Sequence, residues 1–438
     1  MDPIQKIIGF FFRNKWLGIL LILGFAFGVG ISTFYRGAIS PHQRTDLTVF
    51  LTAGKIVREG HSSLLYTIES IRHWHYVYPP LLAILLAPYS NWPLGVTVGF
   101  AYLLSLACLF GTAILSRRLP ENAAPAKTDR QGHASMSASM GFRPAPWQIT
   151  LAMIFCLPML MNTLTRGQFG IVTLFFMVAI FYSYLKQRKI LTGLLLALAV
   201  SLKISPLAFL VFFFLMKREW KILLSTIVGF GLFFFLLPSL VIGFHQNWEL
   251  LKIWKGLMSA SQSDTAYQHY LWRELFTPFA PDNLSIYAVI TRYTCPSEAQ
   301  FVGHSNALVR WITSGVGTLL LALPSIKTRR TSLAPEPDAL RLLAEFSLFP
   351  MLMLFTSPVT EIHHYTVAYF LFLAALMMME RAPRGSWAQK SLGASLWICA
   401  LSLLLGMIVP IVGYWGIPLW SSMLLWIAVL GSINSQKP

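Results

Sequence analysis

Charge is what this chain has least of. Only 12% of its 438 residues are Asp, Glu, Lys or Arg, against 55% hydrophobic, and the mean hydropathy is +0.61. A soluble protein carries about twice that share of charge, so a soluble globular enzyme is excluded and an all-α polytopic membrane protein is indicated. Acids are scarcer than bases, 17 against 34, for a net charge of +17. That excess is not a nucleic-acid signal, because no basic run is interleaved with aromatics. The cations stand in short clusters between apolar stretches, as the positive-inside rule requires. The four cysteines, Cys108, Cys156, Cys295 and Cys399, make no spacing motif, and three lie in apolar stretches. A disulfide framework and a thiolate metal site are thereby removed. No long polar stretch is left for a separate soluble domain, so any chemistry must take place at the membrane surface.

What is present can be threaded through a bilayer at about 20 apolar residues per span, with basic clusters kept on the cytoplasmic side. Lys6, Arg13 and Lys15 precede an apolar run at 16–34, which is too long for a cleaved signal, lacks a clear small-x-small cleavage site and reads as an uncleaved anchor. The polar stretch 36–93 follows as a first outer loop, its apolar part from 79 bounded by Pro88 and Pro93 and read as interfacial helix. Residues 119–146, rich in Ala, Ser and Pro, form a flexible cytoplasmic loop, and 244–306 form a large outer loop. Residues 190–216 lie between two basic clusters, which requires two short passes with a turn at 201–206, where Pro206 breaks the helix. The expectation is a single integral-membrane domain over 1–438, with about twelve crossings and both termini inside.

This threading gathers the suspicious polar groups on the outer face: Asp46, the Arg72-His73-Trp74-His75 cluster, Arg166 and Gln168, Lys203, the 267–274 stretch with Gln268 and Arg273, and Glu361 with His363 and His364. Each has a plainer explanation. Asp46 opens an amphipathic stretch and serves as a helix N-cap by default. The histidines lack a carboxylate or cysteine partner set, so no metal is expected. Adjacent His363 and His364 on a helix point about 100° apart, which turns one toward a cavity and the other into packing. Lys203 is harder to explain away. A pass of about 13 residues rises only about 20 Å at 1.5 Å per residue, so its turn lies below the surface, where a cation needs a partner. None stands near it in sequence.

One reaction suits this constellation: transfer of a sugar from a polyprenyl phosphate in the outer leaflet. The phosphate leaves without protonation, so the site needs cations for it and one carboxylate to accept a proton from the acceptor hydroxyl. Lys203, Arg166 and a histidine supply the first, Asp46 the second. A nucleotide-sugar enzyme would want a soluble α/β domain and an acidic metal-binding motif, and neither is present. A transporter or flippase of a lipid-linked saccharide would instead place ionisable groups at mid-membrane on facing, symmetry-related helices.

The residues also resemble a known family. Asp46, Leu47, Phe50 and Ala53 leading to Gly60, Tyr66, Tyr78-Pro79-Pro80 and Ala87-Pro88 are similar to the first outer loop of glycosyltransferase family 87. Gly167-Gln168, then Gly193 to Ala199 with Lys203 and Pro206, then Ser357-Pro358 ending in His363-His364 follow in the family's order. The resemblance covers roughly 45–370. It implies a GT-C-type bundle with interfacial helices in the first outer loop, and a metal-independent, inverting hexosyltransferase of the cytoplasmic (inner) membrane with its site on the outer, periplasmic face. Mannose is the expected sugar and polyprenyl-phosphate arabinose the alternative donor, with a lipid or glycan as acceptor. It implies Asp46 as catalytic base and a Ser-Pro-block histidine, His364 for preference, near the donor phosphate. Lys203, Arg166 and His363 would bind that phosphate, and Gln168, Gln268, Arg273, Glu361 and Tyr78 the substrates. Thr360-Glu361 stands where the family often has Trp before the histidines.

Overall fold

A computed structural model describes residues 15–40, 45–67, 75–119, 143–260, 277–295, 307–331 and 338–433. Among them there is no β-strand, and the chain is a helical membrane bundle. Helix α1 (Lys15–Phe34) runs into a π-helical turn at Tyr35–Ile39. The stretch read as a first outer loop holds, among its described residues, the helices α2 (Asp46–Arg58) and α3 (Pro80–Leu86), the latter prolonged by a 3-10 turn at Ala87–Asn91. Then come α4 (Leu94–Arg117), α5 (Pro146–Phe155) and α6 (Leu157–Arg166). Next are α7 (Gly170–Leu185), α8 (Lys189–Leu202) and α9 (Leu210–Met216). A span at Trp220–Ile242 comprises α10 (Trp220–Phe230), a π-helical turn and α11 (Leu237–Ile242). Beyond it stand α12 (Phe244–Ala260), α13 (Ile286–Thr294) and α14 (Ala307–Thr331). The chain continues with α15 (Ala339–Thr356), a 3-10 turn at Ile362–Val367 and α16 (Ala368–Arg381). It closes with α17 (Trp387–Ile408), α18 (Pro410–Tyr414) and α19 (Ile417–Ser432).

Among the described residues, five helices are long and apolar enough to cross a bilayer, or six if α5 and α6 count as one broken span bent by 58°. Helices α7, α8 and α19 are apolar but shorter, with 16, 14 and 16 residues. Twelve full-length spans are therefore not found among the described residues. The crossing expected over 147–165 is also not straight. Pro158 in the first turn of α6 has no N–H to continue α5's ladder, and the chain bends at Cys156. The expected break within 190–216 is present, with α8 ending at Leu202 and α9 beginning at Leu210.

Burial sorts the spans into centre and rim. The apolar windows of α15 and of Ile362–Arg381 are 83% and 89% buried, against 17% and 22% for α4 and Trp220–Ile242. The rim spans turn large side chains such as Phe110, Leu224 and Ile227 outward, as lipid contact demands. Lipid gives no hydrophobic drive for helix to meet helix, so small residues that permit close approach hold the pairs together. A Cβ on Gly193 of α8 would lie 2.0 Å from Ser225 Oγ and 2.4 Å from the Ile222 carbonyl of α10, and one on Gly229 would lie 2.5 Å from Ala197. This interlock fixes α8, and with it the place where Lys203 leaves the helix.

The first outer loop has a small core of its own. Phe50, Ala53, Leu65, Tyr66, Tyr76 and Leu82 pack with Leu250 of α12. Gly60, at φ +78°, ends α2 in the left-handed conformation that glycine adopts without a Cβ penalty. The turn before α3 is tied by Tyr66 Oη donating to the Tyr78 carbonyl (2.9 Å), Tyr76 Oη to the Pro79 carbonyl (2.6 Å) and Trp254 Nε1 to the Val77 carbonyl (3.1 Å). Those bonds give Tyr66 and Tyr78-Pro79-Pro80 a structural reason to occur together.

Candidate active site

Where α6 and α8 end and α2, α7 and the 362–367 turn begin, a cluster of buried and half-buried charge gathers at one end of the bundle. Gly167 terminates α6 at φ +66°, with its own N–H donating to the Leu164 carbonyl (3.2 Å) and that of Gln168 to the Thr163 carbonyl (3.0 Å). The missing side chain is needed twice, because a Cβ there would also lie 2.8 Å from Leu47 Cβ. The first turn of α2 thus rests directly on the end of α6. Asp46 Oδ2 lies 3.4 Å from Arg166 Nε, both side chains mostly buried. The N-cap is Thr45, not Asp46, and it makes no side-chain capping bond. Asp46 occupies the first helical position, where a carboxylate also suits the helix dipole. The cap explanation therefore falls to its neighbour, and the Asp46 carboxylate faces Arg166.

Arg166 does not stand free for a phosphate either. Its Nη1 donates to Glu361 Oε2 while its Nε faces Asp46, so one guanidinium is shared between two carboxylates. Burial alone would raise the Glu361 carboxyl; the charge of Arg166, aided by His363, instead holds it well below the usual carboxylate range. His363 is buried with its Nδ1 3.5 Å from Glu361 Oε2, and its ring lies against that of His364, tilted by 50° with 4.1 Å between centroids. His364 is half-buried, and its Nδ1 accepts the Glu361 backbone N–H (3.0 Å). An imidazole that accepts at Nδ1 carries its proton on Nε2 when neutral, so His364 is left with a donor nitrogen.

Lys203 follows the last turn of α8 and is 5% exposed. Its Nζ donates to Gln168 Oε1 at 3.3 Å and lies 5.9 Å from the centre of the Tyr78 ring. No carboxylate lies within ion-pair distance of it among the described residues. Tyr78 is set by Phe50, whose ring is 5.1 Å away and is itself 5.1 Å from Phe169. Gln168 also forms part of the wall of a mainly apolar cavity of about 390 Å³, lined by Leu82, Leu86, Phe100, Tyr102 and Phe169 among others. Thr45 and Leu47, on either side of Asp46, belong to the same wall. The apolar cavity thus lies beside both the carboxylate and the buried cation, lined by their chain neighbours.

Gln268, Arg273 and the Arg72-His73-Trp74 cluster lie outside the described residues. Among the described residues no three His, Cys, Asp or Glu side chains are grouped to hold a metal ion. The structure adds three residues that sequence reading passed over. Arg36, in the π-helical turn after α1, is within electrostatic reach of Arg166 and Asp46; the sequence offered it only as the end of a span. Asp282 faces Glu361 and Arg166 from the large outer loop. Loss of surrounding water and the charge of Glu361 raise its carboxyl, and Arg166 pulls it back. Asn283, next to it, is buried against the turn that carries Glu361. Pro281-Asp282-Asn283 carries only a turn signature in sequence, so nothing local marks it.

Comparison with known proteins gives two findings. The family model described as glycosyltransferase family 87 matches residues 76–358. The crystal structure of ArnT from Cupriavidus metallidurans bound to undecaprenyl phosphate is similar at 13% identity and a TM-score of 0.37, over 96% of this chain and 78% of that one. No curated relative matches the chain.

Proposed function

Because this chain belongs to glycosyltransferase family 87, we propose that it moves one sugar, mannose for preference, from a polyprenyl phosphate to a hydroxyl of a lipid or glycan. The transfer takes place at the outer face of the cytoplasmic membrane. The observation that carries this reading is Lys203: a buried ammonium bonded to a neutral amide, with no carboxylate in contact, beside an apolar cavity that shares its Gln168 wall. A buried cation is retained where an anion completes it, and here the substrate brings that anion. The phosphate meets Lys203 and the donor nitrogen of His364 while the isoprenoid chain follows the cavity.

In that arrangement Asp46 takes the proton from the acceptor hydroxyl as the oxygen attacks the anomeric carbon. The bond from that carbon to the phosphate oxygen breaks, and the leaving phosphate keeps the electron pair against Lys203. Attack from the face opposite the phosphate inverts the anomeric centre. Arg166 orients Asp46 and is not the phosphate's main partner, since Glu361 shares it. No metal is needed, because the leaving phosphate is a weak base and finds its positive charge in side chains.

The test incubates membranes containing the full chain with a panel of labelled polyprenyl-phosphate sugars and follows the label into lipid and glycan fractions. Transfer from the mannosyl donor that disappears in Asp46→Asn is the expected result. Label that moves from none of the donors, or moves equally well in that variant, overturns the reading.

A further inference from the structure

Glu361 lies on a short irregular turn, 357–361, between α15 and the 3-10 turn of the histidines. A carboxylate on such a turn holds a guanidinium in one orientation only if the turn itself is held. The holding comes from the large outer loop. Asn283 is 2% exposed, and its Nδ2 donates to the Pro358 carbonyl (3.2 Å) and the Thr277 carbonyl (3.3 Å). Its Oδ1 accepts the Thr360 N–H and the Ser285 N–H, each at 3.2 Å. Around this amide the Leu284 N–H donates to the Thr360 carbonyl (2.6 Å) and Ser285 Oγ to the Pro358 carbonyl (3.2 Å). An amide side chain offers donors and an acceptor on one planar group, so Asn283 can grip Pro358 and Thr360 together.

Asn283 is itself anchored. Arg292 of α13 is 4% exposed and has no carboxylate within ion-pair distance among the described residues. Its guanidinium donates to the carbonyls of Pro278 (2.6 Å), Ala280 (3.0 Å) and Asn283 (3.0 Å), and across to those of Tyr414 (2.8 Å) and Gly413 (3.4 Å). One side chain thereby ties the 278–283 segment to α18. A buried cation used only on carbonyl oxygens is a costly way to fix a loop, and it is warranted where the loop's position matters.

We propose that Asn283, anchored by Arg292, is a positioning residue: its amide clamps the 358–360 turn so that Glu361 holds Arg166 in the orientation that presents Asp46. The guanidinium is planar and rigid, so fixing Nη1 on Glu361 fixes where Nε meets Asp46. Slack at Glu361 lets the fork swing, and Asp46 loses its register with the acceptor while Lys203 keeps its bond to Gln168. The catalytic part of this inference rests on the transfer reading above; the clamp itself does not.

Two measurements on the full-length protein in detergent test it. Asn283→Asp keeps both acceptor bonds and the shape but sets a negative oxygen against the Pro358 carbonyl; Asn283→Ala removes the grip altogether. Hydrogen exchange of the 357–364 peptide is expected to quicken about tenfold or more in either variant, as it does when a local structure opens more often. In Asn283→Asp, kcat should fall about tenfold with donor KM within about threefold. Combined with Glu361→Gln, it should lower kcat no further, because a residue acting through Glu361 has nothing left to act on. Unchanged exchange overturns the clamp. An equal loss of kcat with and without Glu361→Gln overturns its action through Glu361. A wild-type protein that transfers no sugar defeats the transfer reading, and exchange still decides the clamp.

Discussion

At the end of the bundle where α8 begins and α9 stops, cations sit against carboxylates: the buried Lys217 Nζ lies 2.5 Å from Glu345 Oε2, and the half-buried Lys189 and Arg381 lie 2.8 Å from Glu219 and 3.0 Å from Asp338. At the opposite end Lys203, as deeply buried as Lys217, meets an amide oxygen and a ring face. The same α8 begins at Lys189 and is followed by Lys203 after its last turn, so the contrast is not one of helix. A cation closed by a carboxylate is structural, and a further anion would find nothing to neutralise. A cation left with neutral partners keeps a place for an anion that arrives from outside. The chain spends charge sparingly, and the open site stands beside the apolar cavity.

Substitutions can break this contrast from either side. The largest effect is expected for Asp46→Asn, which should lower transfer about 10²- to 10⁴-fold, the range for loss of a general base, with donor binding retained. Turnover near that of the wild type would return Asp46 to a purely structural role. At the closed end, Glu345→Gln leaves Lys217 buried without its charge partner, a loss of about 3–5 kcal/mol. It should be read as a lower thermal midpoint in detergent, with kcat per folded molecule unchanged; a stable but inactive variant would erase the distinction between the ends. Lys203→Met should weaken donor binding about 10- to 100-fold, the value of a charge-assisted bond, and leave the thermal midpoint level or higher. If stability falls as it does for Glu345→Gln, the two ends are equivalent and Lys203 is structural.

The smallest effect concerns acid. The Glu361 carboxyl is depressed in the fold, so the stability it lends is complete above the ordinary carboxylate range and is lost as pH falls through it toward its own lower value. Glu361→Gln should therefore lower the thermal midpoint at neutral pH, where the pair is complete, and make its further decline with acid shallower below about pH 4.5. An unchanged acid slope would mean that Arg166 does not hold Glu361 in solution.

Much of the architecture was legible because its signals are local. The α7 helix, the break before Lys203, and the α2 and α3 pair of the first outer loop follow from apolar run length, basic clusters and Pro-bounded segments. Proline shows where such reading stops. Pro158 breaks a helix, whereas Pro324 and Pro350 sit inside α14 and α15, and what separates them is the packing around each one. Within the site, Asp46, Gln168, Lys203, Glu361 and the two histidines were named in advance because ionisable and amide groups are rare enough here to stand out. Asp282 and Asn283 did not stand out, because a Pro-Asp-Asn turn on a polar loop is ordinary in sequence. Their meaning comes from Pro358 and Thr360, some 75 residues away.

By itself, then, the sequence determined that the chain lives in a membrane and singled out a few polar groups as candidates for one site, because span length and charge clustering are properties of short stretches. It offered Arg166 and Lys203 as equal candidates for the phosphate. Only the tertiary structure separated them, giving Arg166 to Asp46 and Glu361 and leaving Lys203 with Gln168 and Tyr78. Coulomb energy depends on distance in space, and the distance from Arg166 to Glu361, 195 positions along the chain, exists only once the helices have packed.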